Sequence, residues 1–187
     1  MTAPLLTTER LELWQPAATD LAGVHALTLG DEMRRFLGKT PPNEVESFAR
    51  LMRNAGSWAL HGYGSFMVRR RGEAQIIGNC GVFRSLRGFA KGLDDVPEAG
   101  WIIHRDAWGQ GLAKEAMRAS LDWFDTAHGP QRVACMIELD NTASEAVAAA
   151  LGFERYDSHV LEDGATVNLY ERVGGLSGGS CDSERSQ

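Results

Sequence analysis

The sequence predicts an α/β protein built on one mixed sheet with helices on both faces. Short apolar or alternating runs, typical of strands, cluster in the middle and at the end of the chain. Segments with apolar residues at helical spacing lie between several of them. Hydrophobic residues make up 43% of the 187 residues, which is enough for one sizeable core. Early strands followed by strand–helix alternation favour a mixed sheet covered on both sides.

The first part of the chain predicts one strand and two helices. Residues 9–14 alternate Leu with polar neighbours, which indicates a strand that ends before Pro16. Residues 21–29 have helical spacing and end at Gly30. A second helix begins after Asn43. The apolar face predicted for this second helix consists of Val45, Phe48, Leu51, Met52 and Ala55.

A hairpin follows these helices. Residues 65–70 and 74–83 indicate two antiparallel strands joined by a tight turn. Gly78 and Gly81 lie in the second strand, which predicts a bulge or a close approach of two backbones. The polar, glycine-containing residues 85–97 predict a loop.

The second part of the chain alternates strands and helices. Strands are predicted at 98–103, at 132–139, from 153 onward and at 165–173, and helices are predicted at 113–128 and 143–151. The Gly/Ser-rich end cannot contribute to a core. We therefore expect a single domain over residues 1–172 and a disordered tail over residues 173–187.

Composition argues against several function classes. The net charge is −6, whereas nucleic-acid binders usually carry a basic face. The three cysteines, Cys80, Cys135 and Cys181, are widely spaced, which predicts neither a disulfide framework nor a metal site and favours a cytoplasmic protein. The sequence has no secretory signal pattern and no apolar run of membrane-spanning length, so no membrane partner is expected.

The segment from Glu98 to Ala116 carries the chemistry. A strand leads into a loop with Gly109 and Gly111, and this loop opens a helix. Unpaired amides and the dipole at a helix start attract anions, and glycines let a phosphate approach the backbone. The loop lacks the P-loop pattern, and Lys114 stands where a dinucleotide turn has its third glycine. Phosphate binding and a plain strand-to-helix connection both remain open on spacing alone.

The run WGQGLAKEA at 108–116 resembles the acyl-CoA pyrophosphate loop of the GNAT N-acetyltransferases, specifically the RimJ/RimL-type branch. Further motifs agree with this branch in order and spacing. They are TERLELWQP at 8–16, DEMRRFLG at 31–38, HGYGSFMV at 61–68, IIGNCGVF at 76–83 and DNTASEAVAAALGF at 140–153. The resemblance covers roughly residues 7–172.

The resemblance implies a GNAT-like fold, with a mostly antiparallel central sheet in which strands 98–103 and 132–138 splay apart. Acetyl-CoA, the cosubstrate, would lie in that gap, and no metal would be needed. The residues implied for binding it are Trp101, Ile102, Ile103, His104, Trp108, Gly109, Gln110, Gly111, Leu112, Ala113, Asn141 and Ser144. Asn141 also has the sequence position of a helix cap, and both roles are compatible.

The resemblance further implies direct transfer of an acetyl group to a primary amine in a ternary complex. The acceptor would be a protein N-terminus or a small-molecule amine, and a homodimer is compatible with the family. Ala148 stands where many relatives have a proton-donating Tyr, so Ser144 is the predicted proton donor. Glu98 is the predicted general base, with His104, His159 or water as alternatives.

Two other functions stay open. The first is an acyl-CoA-binding regulatory or interaction module with weak catalysis, which the missing Tyr favours. The second is a protein that binds another phosphate ligand, such as a nucleotide.

Overall fold

The structure is a computed structural model that describes residues 3–30, 43–89 and 91–174. The strands are β1 (Leu6–Thr7), β2 (Leu11–Trp14), β3 (Ser65–Arg70), β4 (Ile76–Phe83), β5 (Glu98–Ile103), β6 (Arg132–Glu138), β7 (Glu154–Val160) and β8 (Thr166–Val173). The helices are α1 (Leu21–Ala26), α2 (Glu44–His61), α3 (Leu112–His128) and α4 (Thr142–Ala150), with single 3-10 turns at Ala18–Asp20 and Arg105–Ala107. The DEMRRFLG motif and residues 175–187 of the predicted tail lie outside the described residues.

One sheet contains all eight strands in the order β1-β2-β3-β4-β5-β6-β8-β7. Every neighbouring pair is antiparallel except β5 and β6. These two strands run parallel and meet at a single register pair, Glu98 opposite Ala134. The Ala134 N–H donates to the Pro97 carbonyl at 3.0 Å, and the strands then diverge. The predicted mixed sheet with splayed central strands is confirmed.

Helices cover both faces of this sheet, as predicted. On one face α3 buries Met117, Leu121 and Phe124 against β2 to β6. On the other face Val24 of α1 and Leu51 of α2 pack against the strands. Burial of such side chains contributes about 1.5–3 kcal/mol each, so α3 is a principal source of stability.

The predicted apolar face of α2 is wrong. Of its five residues only Leu51 is buried, while Val45, Phe48 and Met52 are more than half exposed. The helix begins after Asn43, as predicted, and its 18 residues end at a left-handed Gly62. In the part of the chain that the structure describes, neither α2 nor another helix combines the length and the apolarity needed to cross a membrane.

The side of α2 that faces the sheet is polar. Asn54 Nδ2 donates to the Ser65 carbonyl at 2.8 Å, and Ser57 Oγ donates to the Tyr63 carbonyl at 2.8 Å. Both side chains are buried. These bonds give the Tyr63 and Ser65 carbonyls hydrogen-bond partners. The orientation of α2 on the sheet is therefore fixed by hydrogen bonds as well as by its apolar residues.

Both glycines predicted to mark close approach in β4 do so. A Cβ on Gly78 would stand 2.9 Å from the Ile102 carbonyl oxygen, and one on Gly81 would stand 2.7 Å from the Ser65 Cα. The β3–β4 register also shifts between Val68 and Arg69. Glycine is therefore needed where β4 lies between its neighbours.

Candidate active site

The divergence of β5 and β6 opens a cavity of about 490 Å³. Its walls come from β5, the end of β6, the loop after β5 and the first turns of α3 and α4. This volume lies within the roughly 300–1,000 Å³ range of small-molecule sites. We call the end of the gap at Glu98, where the strands still pair, its narrow end, and the end at the start of α3 its wide end.

The edge of β5 that lines the cavity carries unpaired backbone groups. The His104 N–H donates to the Ile77 carbonyl at 2.8 Å, on the β4 side. Because hydrogen bonding alternates along a strand, the N–H groups of Trp101 and Ile103 point the other way, into the gap. An extended ligand arm can pair with this edge as an added strand would.

The loop at the wide end has the backbone that an anion site requires. Gly109 and Gly111 have φ values of +71° and +74°, a region that favours glycine. Gly111 is the N-cap of α3 and offers no side-chain cap, so the first amides of α3 keep their hydrogen-bonding capacity. Trp108 fixes the loop because its indole N–H donates to the Ile103 carbonyl at 2.7 Å. The positive end of the 17-residue α3 therefore faces the cavity.

Hydrogen bonds from β-strand and N-terminal residues hold Gln110 of this loop and Glu115 of α3 in place. Glu115 accepts from the Thr8 hydroxyl at 2.6 Å and from the Arg10 Nε at 2.6 Å. Arg10 also donates to the Gln110 carbonyl at 2.9 Å, and the Gln110 side chain accepts from Arg70 at 2.8 Å. Burial acts to raise the pKa of Glu115, but the hydrogen bonds from Thr8 and Arg10 hold that pKa below its usual value.

The N-terminus of α4 forms the opposite wall. Asn141 Oδ1 accepts from the Ser144 N–H at 3.1 Å, so Asn141 caps the helix. Asn141 and Ser144 both line the cavity. The preceding Asp140 has φ +68°, which turns the chain sharply from β6 into α4.

The structure brings together most of the residues predicted to bind the cosubstrate. Those that line the cavity are Trp101, Ile102, Ile103, Trp108, Gly109, Gly111, Leu112, Ala113, Asn141 and Ser144. Gln110 lies in the same loop, but its side chain is engaged with Arg70. His104 borders a different cavity of about 300 Å³, beside Asp20 and Arg69.

Glu98 lies at the narrow end and is only 2% exposed. Arg87 donates to both of its carboxylate oxygens, at 2.6 and 2.9 Å, and the Ser85 hydroxyl also donates to it. Its side chain does not line the cavity. The carboxylate is thus held as one half of a bidentate ion pair.

The two histidines proposed as alternative bases also have neighbours outside the cavity. His104 Nδ1 accepts from the Asp106 N–H at 3.3 Å. His159 stacks on Phe89 with ring centroids 4.1 Å apart. Neither ring lines the cleft between β5 and β6.

Sequence reasoning missed the side chains that β6 contributes. Met136, Ile137 and Glu138 line the cavity, together with Val147 of α4 and Lys114 of α3. Helical spacing could have found the last two, because Val147 follows Ser144 by three residues and Lys114 follows Gly111 by three. Among residues 3–30, 43–89 and 91–174, no group of three or more His, Cys, Asp or Glu is arranged to hold a metal ion.

Comparison with known proteins shows similarity to acetyltransferases. The family model described as an acetyltransferase (GNAT) domain matches residues 10–154. The uncharacterized N-acetyltransferase YoaA of Bacillus subtilis is 24% identical over 153 residues, covering 81% of this chain and 84% of its own. A solved chain assigned to the GnaT-family acetyltransferases of Bordetella pertussis is 31% identical with a TM-score of 0.80, covering 89% of this chain and 98% of its own.

A further similarity concerns the fold alone. RimL, a ribosomal L7/L12 alpha-N-protein acetyltransferase solved with coenzyme A, is 17% identical with a TM-score of 0.73. That match covers 90% of this chain and 97% of the RimL chain.

Proposed function

This chain belongs to the GNAT acetyltransferase family, and from that premise we propose that it transfers the acetyl group of acetyl-CoA to a primary amine. The cleft between β5 and β6, which ends at the glycine loop of α3, carries this proposal. The loop amides would bind the diphosphate, and the free edge of β5 would pair with the extended arm that carries the thioester. The residues that line the cleft fit such a ligand, because they combine an anion site with an apolar passage.

We propose direct transfer from the thioester to the amine. Cys80 and Cys135 are both free and buried, and burial raises the pKa of Cys80 to about 12. A protonated, buried thiol is a poor nucleophile, so an acyl-cysteine intermediate on these residues is disfavoured. A pair of free thiols is also compatible with the reducing cytoplasm, where we place the reaction.

The acceptor amine must lose a proton before it attacks. At pH 7 roughly a tenth of an α-amino group and under a thousandth of a Lys side chain is neutral. Glu98 remains the proposed base because it stands at the narrow end, where β5 and β6 part. Its side chain does not line the cavity, so proton transfer from the amine to Glu98 would pass through water.

The variant Glu98→Gln distinguishes two possible roles of Glu98: a general base, or a group that positions Arg87. Loss of a base lowers kcat at neutral pH and lets activity recover as the pH rises and the free amine deprotonates. Loss of a positioning role lowers kcat/KM by a factor that does not change with pH. Wild-type kcat and KM in this variant would remove Glu98 from both roles.

Ser144 is the proposed proton donor to the leaving thiolate. Its side chain lines the cavity, and α4 fixes its position through the Asn141 cap. Ser144→Ala should lower kcat about tenfold to a hundredfold, with little effect on acetyl-CoA affinity. Thr142→Ala is the matched control, since Thr142 lies in the same turn but outside the cavity lining.

The acceptor is what an experiment should identify first. A library of peptides with free N-termini, amino acids, polyamines and aminoglycosides, with released CoA as the readout, tests the reaction directly. Turnover of N-terminal peptides would support a RimJ/RimL-type role, to which the RimL similarity contributes only the fold. Binding of acetyl-CoA without turnover of an amine would favour the second candidate, an acyl-CoA-binding module; Ala148 at the position of the family Tyr motivates it.

A further inference from the structure

The outward side of α2 carries a line of apolar residues that runs along most of the helix. Val45, Phe48 and Met52 are 76%, 51% and 52% exposed. Two alanines continue the line toward the end of the helix. A Cβ placed on the adjacent Gly56 would meet no atom within 4 Å, so the surface beside the line is open. We call this line the α2 seam, and it consists of Val45, Phe48, Met52, Ala55 and Ala59.

The α2 seam has the spacing of a coiled coil. Its members follow one another at intervals of three, four, three and four residues. This alternation keeps apolar side chains on one stripe of a helix, where a second helix can pack. Apart from Leu51, the buried residues of α2 are the polar Ser47, Asn54 and Ser57. The helix therefore turns its regular apolar stripe to solvent, and such an exposed stripe marks an interaction site.

The charges beside the α2 seam are complementary to themselves. Glu46 lies in the first turn of α2, and its Oε2 accepts from the Asn43 N–H at 3.0 Å. Arg53 follows seven residues later, which is almost two turns, so it lies on the same flank of the seam as Glu46. Glu44 lies on the other flank, and Arg50 lies on the side of the helix away from the seam. Two parallel copies of α2 would place like charges side by side, whereas two antiparallel copies place Glu46 toward an Arg.

The sizes of the seam residues favour the same arrangement. The bulky side chains lie in the first half of the seam and the small ones in the second. In an antiparallel pair whose two-fold axis passes beside Arg50, residues lie level when their numbers add to about 100. Val45 then meets the partner's Ala55, and Phe48 meets the partner's Met52. In the same register Glu46 lies level with the partner's Arg53.

We propose that α2 is a homodimer interface in which the seams of two copies pack antiparallel about a two-fold axis. Such an interface uses the same patch on both copies, so assembly stops at the dimer. The 18 residues of α2 span about 27 Å. One helix pair of this length offers less contact than the roughly 800 Å² per partner of stable interfaces, so the dimer should dissociate at micromolar concentrations. A net charge of −6 disfavours an anionic membrane surface as the occupant of the seam.

Sedimentation equilibrium of the full chain over about 1–100 μM measures this association. Phe48→Glu and Met52→Glu should each raise the dimer Kd at least about a hundredfold, because each places two carboxylates in the apolar seam. Arg53→Glu should raise it about threefold or more. Leu86→Glu is the matched control, since it adds the same charge at an 87% exposed position outside α2 and should leave the Kd unchanged.

These variants should keep the Tm of the wild-type monomer, because Phe48 and Met52 are already half exposed. A wild-type protein that stays monomeric at every concentration would overturn the proposal. A dimer that both Phe48→Glu and Met52→Glu leave intact would also overturn it, since association would then use another face.

Disulfide trapping tests the antiparallel arrangement in a Cys181→Ser background. A mixture of Val45→Cys and Ala55→Cys proteins should form a disulfide between the two variants under mild oxidation. Neither variant should crosslink to itself, because the two copies of either position would lie about 15 Å apart along the helices. Self-crosslinking of Val45→Cys would indicate a parallel pair and would overturn the arrangement. Acetyl transfer is measured separately in the Phe48→Glu monomer, so the interface and the proposed function succeed or fail independently.

Discussion

Replacement of Gly111 by Glu tests the claim that the start of α3 binds a diphosphate. Gly111 has φ +74° and ψ +7°, and a Cβ there would meet only the Arg10 guanidinium at 3.8 Å. The side chain therefore has room, and the folding cost comes from the left-handed backbone. That cost is roughly 1–2 kcal/mol, which for a domain of this size lowers Tm by about 2–8 °C.

The cost to binding is larger. A carboxylate about 4 Å from the bound anion would repel it by about 4 kcal/mol at an effective dielectric constant of 20. Since each 1.4 kcal/mol is a factor of ten, acetyl-CoA should bind about a thousandfold more weakly. At 100 times the wild-type Kd, acetyl-CoA stabilises the wild-type protein by about 2.7 kcal/mol and the variant by less than about 0.1 kcal/mol.

Thermal denaturation with and without acetyl-CoA measures both effects. Gly62→Glu is the matched control, because Gly62 has φ +77° and ψ +3° at the end of α2 and does not line the cavity. Without ligand, its Tm should fall by about as much as that of Gly111→Glu. Acetyl-CoA should raise its Tm by as much as it raises that of the wild type. A Gly111→Glu protein that is stabilised as strongly as wild type would refute the assignment of the loop.

Three further predictions concern stability and thiol reactivity. Because the pKa of Glu115 is lowered in the folded state, its ionised form stabilises the protein above the unfolded pKa of about 4.3 and this contribution is lost as pH falls through the lower, folded value. Glu115→Gln should cost about 1 kcal/mol at pH 7 and less at pH 3 in urea titrations; a pH-independent cost would contradict this. In a Cys181→Ser background, Cys80 and Cys135 should resist iodoacetamide at pH 8 until urea unfolds the chain, as mass spectrometry would show, since burial raises both thiol pKa values. Phe124→Ala, at a fully buried position, should cost about 3–5 kcal/mol in urea denaturation, and a loss below about 1 kcal/mol would mean that α3 is packed differently.

The order of strands and helices from β2 onward was predictable because each of these elements carries its own periodic signal, whereas the two-residue β1 was missed because it is too short to show one. The strands 65–70 and 98–103 were predicted with the bounds that the structure gives them, since Gly or charged turn residues flank both. The residues from Trp101 to Ala113 that line the cleft were predicted from the resemblance to the GNAT family, because spacing alone left phosphate binding open. Their motif is nearly contiguous in the sequence, which is why it could be recognised without the structure.

Features that depend on distant partners were not predictable. Counting apolar residues placed the wrong face of α2 inward, because the bonds from Asn54 and Ser57 to backbone carbonyls become visible only when β3 is in place. Burial of Glu98 depends on Arg87, which comes from an irregular loop. The packed face of α2 and the partner of Glu98 both depend on such long-range contacts, so neither was predictable from local sequence.

The single rung between β5 and β6 has a mechanical consequence. Five strands on one side and three on the other form two half-sheets, and backbone pairing across their seam is limited to Glu98 and Ala134. A ligand arm lying along this seam would fasten the two halves as a missing strand would. We therefore expect amide hydrogens on both sides of the seam to exchange more slowly once the cosubstrate is bound.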